Sequence, residues 1–194
     1  MHILGEYNQK YIKMIGTHNS GTGEKGSGWL SKLVTPFAKC QTKTLREQYW
    51  AGCRFFDLRV KNVGGKLVLA HGLWHSDVTL WNAISLLHNL AKQDMERCVN
   101  VIVTYEGRLD EENIPHFIAS IQNFSRFYTR VNVGYIAVKK PTWKTVWAGQ
   151  CPHNIQGFQS LEHAPYCLLP IPWVWNLWKH DDTEGKEFVM VDFL

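Results

Sequence analysis

Two histidines, His18 and His71, each close an apolar run, and Asp57 and Arg59 lie between them in the chain. An imidazole titrates near neutrality, so a pair of them can supply both a base and an acid to one reaction. A guanidinium is a planar fork of donors that matches phosphate oxygens and keeps its charge at any working pH. Base, acid and phosphate-holding cation together are what cleavage of a phosphodiester without a metal requires. Asp57 and Arg59 stand two apart in the run Phe55-Phe56-Asp57-Leu58-Arg59-Val60, so on a strand their side chains share a face. A further acid, Asp192, ends the C-terminal run Glu187-Phe188-Val189-Met190-Val191.

The elements that must position these groups follow from pattern. Short β-like or apolar runs over residues 10–17, 54–60, 66–70, 100–105, 135–138 and 188–193 read as strands. Thr44, with Glu47 three residues on, forms the signature of a helix N-terminus, and Gly52 ends that helix. Asp77 or Thr79 caps a helix carrying Leu80, Ile84, Leu87 and Ala91 on one face. Asp110 caps another, with Ile114, Phe117, Ile118 and Ile121. Residues 29–37 suggest a short helix or lid stopped by Pro36, and residues 20–28 a flexible Gly/Ser/Thr loop. Alternating strands and helices predict an α/β fold with a parallel sheet, and candidate residues at strand ends suit a (β/α) barrel of TIM type. Such barrels run to ~250 residues. A chain of 194 residues therefore predicts a distorted, trimmed barrel with an irregular second half, as a single domain over 1–194.

The pieces His18-Asn19-Ser20, Phe56-Asp57-Leu58-Arg59 and His71-Gly72 occur in the order seen in the X domain of phosphatidylinositol-specific phospholipase C, and the chain resembles the bacterial, metal-independent form of that family. The resemblance covers residues 10–107 best. It implies that His18 is the general base and His71 the general acid, with Asp57 orienting His71, Asp192 paired with His18, and Arg59 on the phosphate. It implies a lipid substrate of phosphatidylinositol type, or another phosphodiester, and transient contact with a membrane surface. No cofactor is expected, because calcium-dependent relatives carry an acid where Arg59 stands. Calcium is the alternative, since Asn19 and Glu106 sit where those relatives hold the ion, and hard cations favour such oxygen ligands. Head-group contacts are assigned to Lys139, beside Lys140, and to Trp143. With Trp147, Trp173, Trp175 and Trp178, Trp143 forms either a lipid-facing rim, a wall for the sugar ring, or ordinary core. A catalytically silent lipid- or sugar-phosphate-binding module is the reading from another class.

Composition sets the bounds. A net charge of +4 suits an anionic substrate or surface, yet the positive residues are scattered, so nucleic acid is not an expected partner. Five cysteines without a Cys-x-x-Cys argue against a disulfide framework or zinc site and weakly favour a reducing, cytoplasmic setting. The first residues do not read as a signal peptide, and no run approaches the ~20 apolar residues of a membrane span. Gly21-Thr22-Gly23-Glu24-Lys25-Gly26 matches a dinucleotide loop on paper, but no convincing helix starts at its last glycine. His71 and His75 have the spacing of a helical metal pair, which Gly72 argues against.

Overall fold

The computed structural model describes residues 14–95, 98–136, 162–163 and 188–191. In chain order these form β1 (Met14–Thr17), a 3-10 turn (Ser20–Gly23), α1 (Gly28–Ala38), α2 (Leu45–Trp50), β2 (Cys53–Val63), β3 (Lys66–His71), β4 (Trp74–Thr79) and α3 (Leu80–Gln93). Then come β5 (Val99–Tyr105), a second 3-10 turn (Glu111–Asn113), α4 (Ile114–Phe127), β6 (Val131–Ile136), β7 (Glu162–His163) and β8 (Phe188–Val191).

Six strands run parallel in the order β6-β5-β2-β1-β8-β7. The first half of β2 lies between β1 and β5, while its far end, from Val60 on, turns into an antiparallel meander with β3 and β4. The meander interrupts the alternation of strand and helix, and its β3 is the strand expected over 66–70. Gly64 and Gly65 both have positive φ and make the β2–β3 hairpin, and the segment from Trp74 to Thr79 is a strand rather than the approach to a helix. The sheet therefore has a parallel α/β core with a hairpin inserted, and the closing contact of a barrel does not fall among the described residues.

Parallel neighbours share a face, so register decides what each face does. Asp57 pairs with Ile102 and Arg59 with Thr104, which puts Phe55, Asp57, Arg59 and Thr104 on one side. Phe56, Leu58, Val60, Val101 and Val103 point to the other, where they meet Leu80, Ile84, Leu87 and Leu90 of α3 and Phe117, Ile121 and Phe124 of α4. The periodicity of both helices was legible in the sequence because burial of one stripe dictates it. Thr79 is the N-cap of α3, accepting from the Asn82 N–H, and Asp77 lies within β4. Thr44 and Glu47 form the expected capping box. Asp110 precedes the 3-10 turn and makes no side-chain cap bond; α4 starts at Ile114 with Pro115 in its first turn, where a missing N–H costs nothing. α1 runs to Ala38 with Pro36 inside its last turn.

The glycine-rich loop is packed against its surroundings over much of its length. Residues Ser20–Gly23 are buried. A Cβ on Gly23 would stand 1.8 Å from the Lys43 carbonyl oxygen, and one on Gly26 would stand 2.6 Å from the Trp74 indole nitrogen. Two of its glycines are there because backbone and ring press against them.

Leu87, fully buried between sheet and α3, tests this packing: Leu87→Ala should lower unfolding free energy by ~2–5 kcal/mol in urea titration. A loss below ~1 kcal/mol would mean that this layer is not the core.

Candidate active site

His18 follows the last residue of β1, and Asn19 takes a left-handed conformation (φ 45°, ψ 46°) that starts the buried 3-10 turn. Asparagine tolerates this region better than most residues. The turn is cross-braced. The Thr22 hydroxyl donates to the Asn19 carbonyl and accepts from the N–H groups of Cys40 and Gln41. The Gln41 amide donates to the His18 carbonyl at 2.9 Å, and that of Gln48 to the Ser20 carbonyl at 2.9 Å. The backbone carrying the first histidine is thus held by side chains from the segment after α1 and from α2.

Arg59 is the hub. Its Nη2 lies 3.0 Å from His18 Nε2, its Nε 3.5 Å from Asp57 Oδ2 and its Nη1 3.7 Å from Glu106 Oε2. A guanidinium has only donors, so His18 Nε2 accepts with its lone pair. The imidazole is neutral for a physical reason: burial drives its pKa well below the usual value, the Arg59 charge pushes the same way, Asp57 opposes, and His71 adds a smaller lowering. Asp57 is fully buried. Its Oδ2 accepts the Asn19 N–H at 3.2 Å and stands 3.9 Å from His18 Nε2, while Oδ1 has no hydrogen-bond partner among the described residues.

Asp57 therefore sits with His18 and Arg59, which corrects the expectation that it orients His71. His71 ends the antiparallel strand β3, and its ring is held otherwise. Nδ1 donates to the Ala38 carbonyl at 2.7 Å, and Nε2 faces the Asn19 amide nitrogen at 3.4 Å. Asn19 spans the two halves: its N–H goes to Asp57 and its side chain to His71 and to Cys40 Sγ at 3.3 Å. Its Oδ1 is buried without a hydrogen-bond partner among the described residues. An amide turned by half a rotation would place that oxygen against a protonated His71. Glu106, just past β5, accepts the Gly72 N–H at 2.9 Å through its other oxygen, tying the turn after His71 to Arg59.

The structure brings His18, Asn19, Asp57, Arg59, His71 and Glu106 to one side of the sheet. Asp192, Lys139 and Trp143 lie outside the described residues, as do Lys140, Trp147, Trp173, Trp175 and Trp178. Sequence reasoning missed Cys40, whose sulfur is 3.9 Å from His71 Nδ1, and the Ala38 carbonyl; no motif marks either, since a loop brings both to the site. Cys40, Cys53 and Cys98 are thiols, and Cys53 is buried enough to push its pKa up to about 12. His75 sits on β4, where its ring faces the Ser31 hydroxyl at 3.2 Å. Among the described residues no group of three or more His, Cys, Asp and Glu side chains is arranged to hold a metal ion, and no helix is long and apolar enough to cross a membrane.

No family model matches the chain. A PI-PLC X-box domain-containing protein of Dictyostelium discoideum is 29% identical over 105 residues, covering 53% of this chain and 14% of that protein. The chain thus spans a small part of that relative. Among solved structures, the phosphatidylinositol-specific phospholipase C of Listeria monocytogenes superposes with a TM-score of 0.50 at 20% identity, over 60% of this chain and 40% of that one. A mutant of the Staphylococcus aureus enzyme superposes with a TM-score of 0.58 at 12% identity, over 95% and 86%. The chain has the fold of the phosphatidylinositol-specific phospholipases C, and the resemblance to their X domain that its three sequence pieces carry is met again in both comparisons.

The coupling within the site can be read directly. In Arg59→Gln the lowering charge is gone, so the His18 ring should titrate at higher pH than in the parent; in Asp57→Asn the raising charge is gone, so it should titrate lower. Ring-proton NMR titration checks both, and shifts of the opposite sign would mean that the three groups are not in contact.

Proposed function

We propose that the protein is a phosphodiesterase that cleaves a phosphatidylinositol-type lipid by intramolecular attack of the inositol hydroxyl on phosphorus. The products would be diacylglycerol and a cyclic inositol phosphate. The observation that carries this reading is a neutral, buried imidazole, His18, hydrogen-bonded to a guanidinium that can reach a phosphate oxygen, with a second histidine linked to the same spot through Asn19.

In this scheme Arg59 turns part of its fork to the phosphate and neutralises charge as it builds on the equatorial oxygens. His18 Nε2, released from Arg59, accepts the proton of the attacking hydroxyl. Asp57, next to Nε2, stabilises the imidazolium that forms there. His71, its Nδ1 held by the Ala38 carbonyl, presents Nε2 and gives a proton to the departing glycerol oxygen. Atoms balance: the P–O bond to glycerol breaks as a second P–O bond to inositol forms and closes the cyclic diester; the hydroxyl proton goes to His18 and the glycerol oxygen takes one from His71.

No cofactor enters this scheme. The Arg59 charge lies between Asp57 and Glu106, so a cation already occupies the place where two carboxylates would otherwise invite one. Glu106 is committed to Arg59 and the Gly72 N–H, which supports a role in positioning rather than ion binding. The lipid substrate implies contact with a membrane surface.

The test is turnover of phosphatidylinositol in mixed micelles containing chelator. Cyclic inositol phosphate should form, and His18→Ala and His71→Ala should each lower kcat by ~10²–10⁴-fold with unchanged circular dichroism. Normal turnover in either variant would refute the assignment. Activity that appears only with added calcium would replace the guanidinium argument by an ion held near Asn19 and Glu106. Phosphate-ester binding without product would identify a silent module.

Activity should also follow a bell in pH. Because His18 is held below its ordinary value, its free base persists to lower pH, so the acid limb of kcat/KM should fall below pH ~6.5. An acid limb above pH ~7 would contradict His18 as the base.

A further inference from the structure

Two side-chain oxygens on the site face of neighbouring strands, Asp57 Oδ1 on β2 and Thr104 Oγ1 on β5, have no hydrogen-bond partner among the described residues. Asp57 is fully buried and Thr104 is 2% exposed. Buried polar atoms are nearly always paired, because an unpaired one keeps the full cost of leaving water. Thr104 is also the odd residue of its strand. The other buried members of β5 are Val99, Val101, Ile102 and Val103, and valine would fill the shape of threonine without a hydroxyl.

Register places the two oxygens. Arg59 pairs with Thr104 and Asp57 with Ile102, so Thr104 stands beside Arg59 and one diagonal step from Asp57. Diagonal neighbours on a sheet face are ~7–8 Å apart, somewhat less between Cβ atoms. Aspartate and threonine are both short. The gap is too wide for a direct bond between them and suits one water molecule held by both.

The proposed reaction gives Asp57 a task for which its other partners are not enough. Its Oδ2 accepts the Asn19 N–H at 3.2 Å and faces Arg59 Nε at 3.5 Å. When Arg59 turns part of its fork to the phosphate, Asp57 gives up part of that support. At the same moment His18 takes a proton and needs the carboxylate charge. A buried carboxylate short of donors takes up a proton instead of keeping its charge. A donor on Oδ1 prevents this.

We propose that Thr104 is a positioning residue for Asp57: its hydroxyl and the free Asp57 oxygen share one bound water, and that bridge keeps the carboxylate charged and aimed at His18 while Arg59 engages the phosphate. This rests on the reading of His18 as the base. Thr104 touches no reacting atom and acts through Asp57.

The first test needs no turnover. The charged and titratable groups that act on His18 are Arg59, Asp57 and His71. A donor on Asp57 offsets part of the negative charge that His18 feels, so its removal strengthens the raising influence of Asp57. In Thr104→Val the His18 ring should titrate at higher pH than in the parent by ring-proton NMR, and Thr104→Ser should match the parent. A His18 that does not move, or moves down, in Thr104→Val would overturn the bridge, as would a serine variant that behaves like valine. Thr104→Ala against Thr104→Ser repeats the comparison if valine disturbs the fold. The second test is steady-state turnover of phosphatidylinositol in mixed micelles. Thr104→Val should lower kcat about tenfold with KM within about twofold, and Thr104→Ser should stay within about threefold of the parent. On an Asp57→Asn background Thr104→Val should cost nothing more, because the two residues share one task. An equal loss on that background, or a raised KM with unchanged kcat, would sink the positioning role. A parent that turns over nothing while His18 still shifts in Thr104→Val would overturn the catalytic reading and the role built on it, and the bridge itself would stand.

Discussion

The buried charge of Arg59 is the constraint around which the site is arranged. A guanidinium that is 10% exposed must be balanced, and the balancing groups come from different elements: Asp57 two residues earlier on β2, and Glu106 just beyond β5. Removing a cation from water costs several kcal/mol unless opposite charge and acceptors surround it. The side-by-side pairing of β2 and β5 places both carboxylates within 4 Å of it. His18 completes the set as an acceptor, and the cation in turn keeps His18 uncharged.

From that hub the remaining groups are reached by short links. Glu106 passes from Arg59 to the Gly72 N–H and so fixes the turn that follows His71. Asn19 passes from Asp57 to His71. The two histidines are thus mechanically joined although one lies after a parallel strand and the other ends an antiparallel one. The hairpin β3–β4 departs from a regular alternation of strand and helix, and it is what carries His71 over the end of β1.

The second theme is the use of a polar underside to fix a helix. α1 contributes little to the apolar core, because Ser31 is its buried residue and its large side chains face outward. Its place is set by hydrogen bonds to β4 and to the 3-10 turn. Such bonds are directional, and each is worth only ~1 kcal/mol net.

The stripe of α3, the capping box at Thr44 and Glu47, the strand character of β2 and the common face of Asp57 and Arg59 were legible in the sequence, because period and cap chemistry are local. His18, Arg59 and His71 were legible as chemistry by residue type and order. The partner of His71 was not. The resemblance implied Asp57, whereas the pairing of β1 with β2 delivers that carboxylate to His18 and leaves His71 to a backbone carbonyl and an asparagine. Nor was the packed state of the Gly21–Gly26 loop, or the nearness of Cys40, because both depend on contacts across tens of residues. Local sequence determined which groups were present and which faces of their strands they occupied; only the tertiary structure decided which donor met which acceptor, since those distances are set by strand order and register.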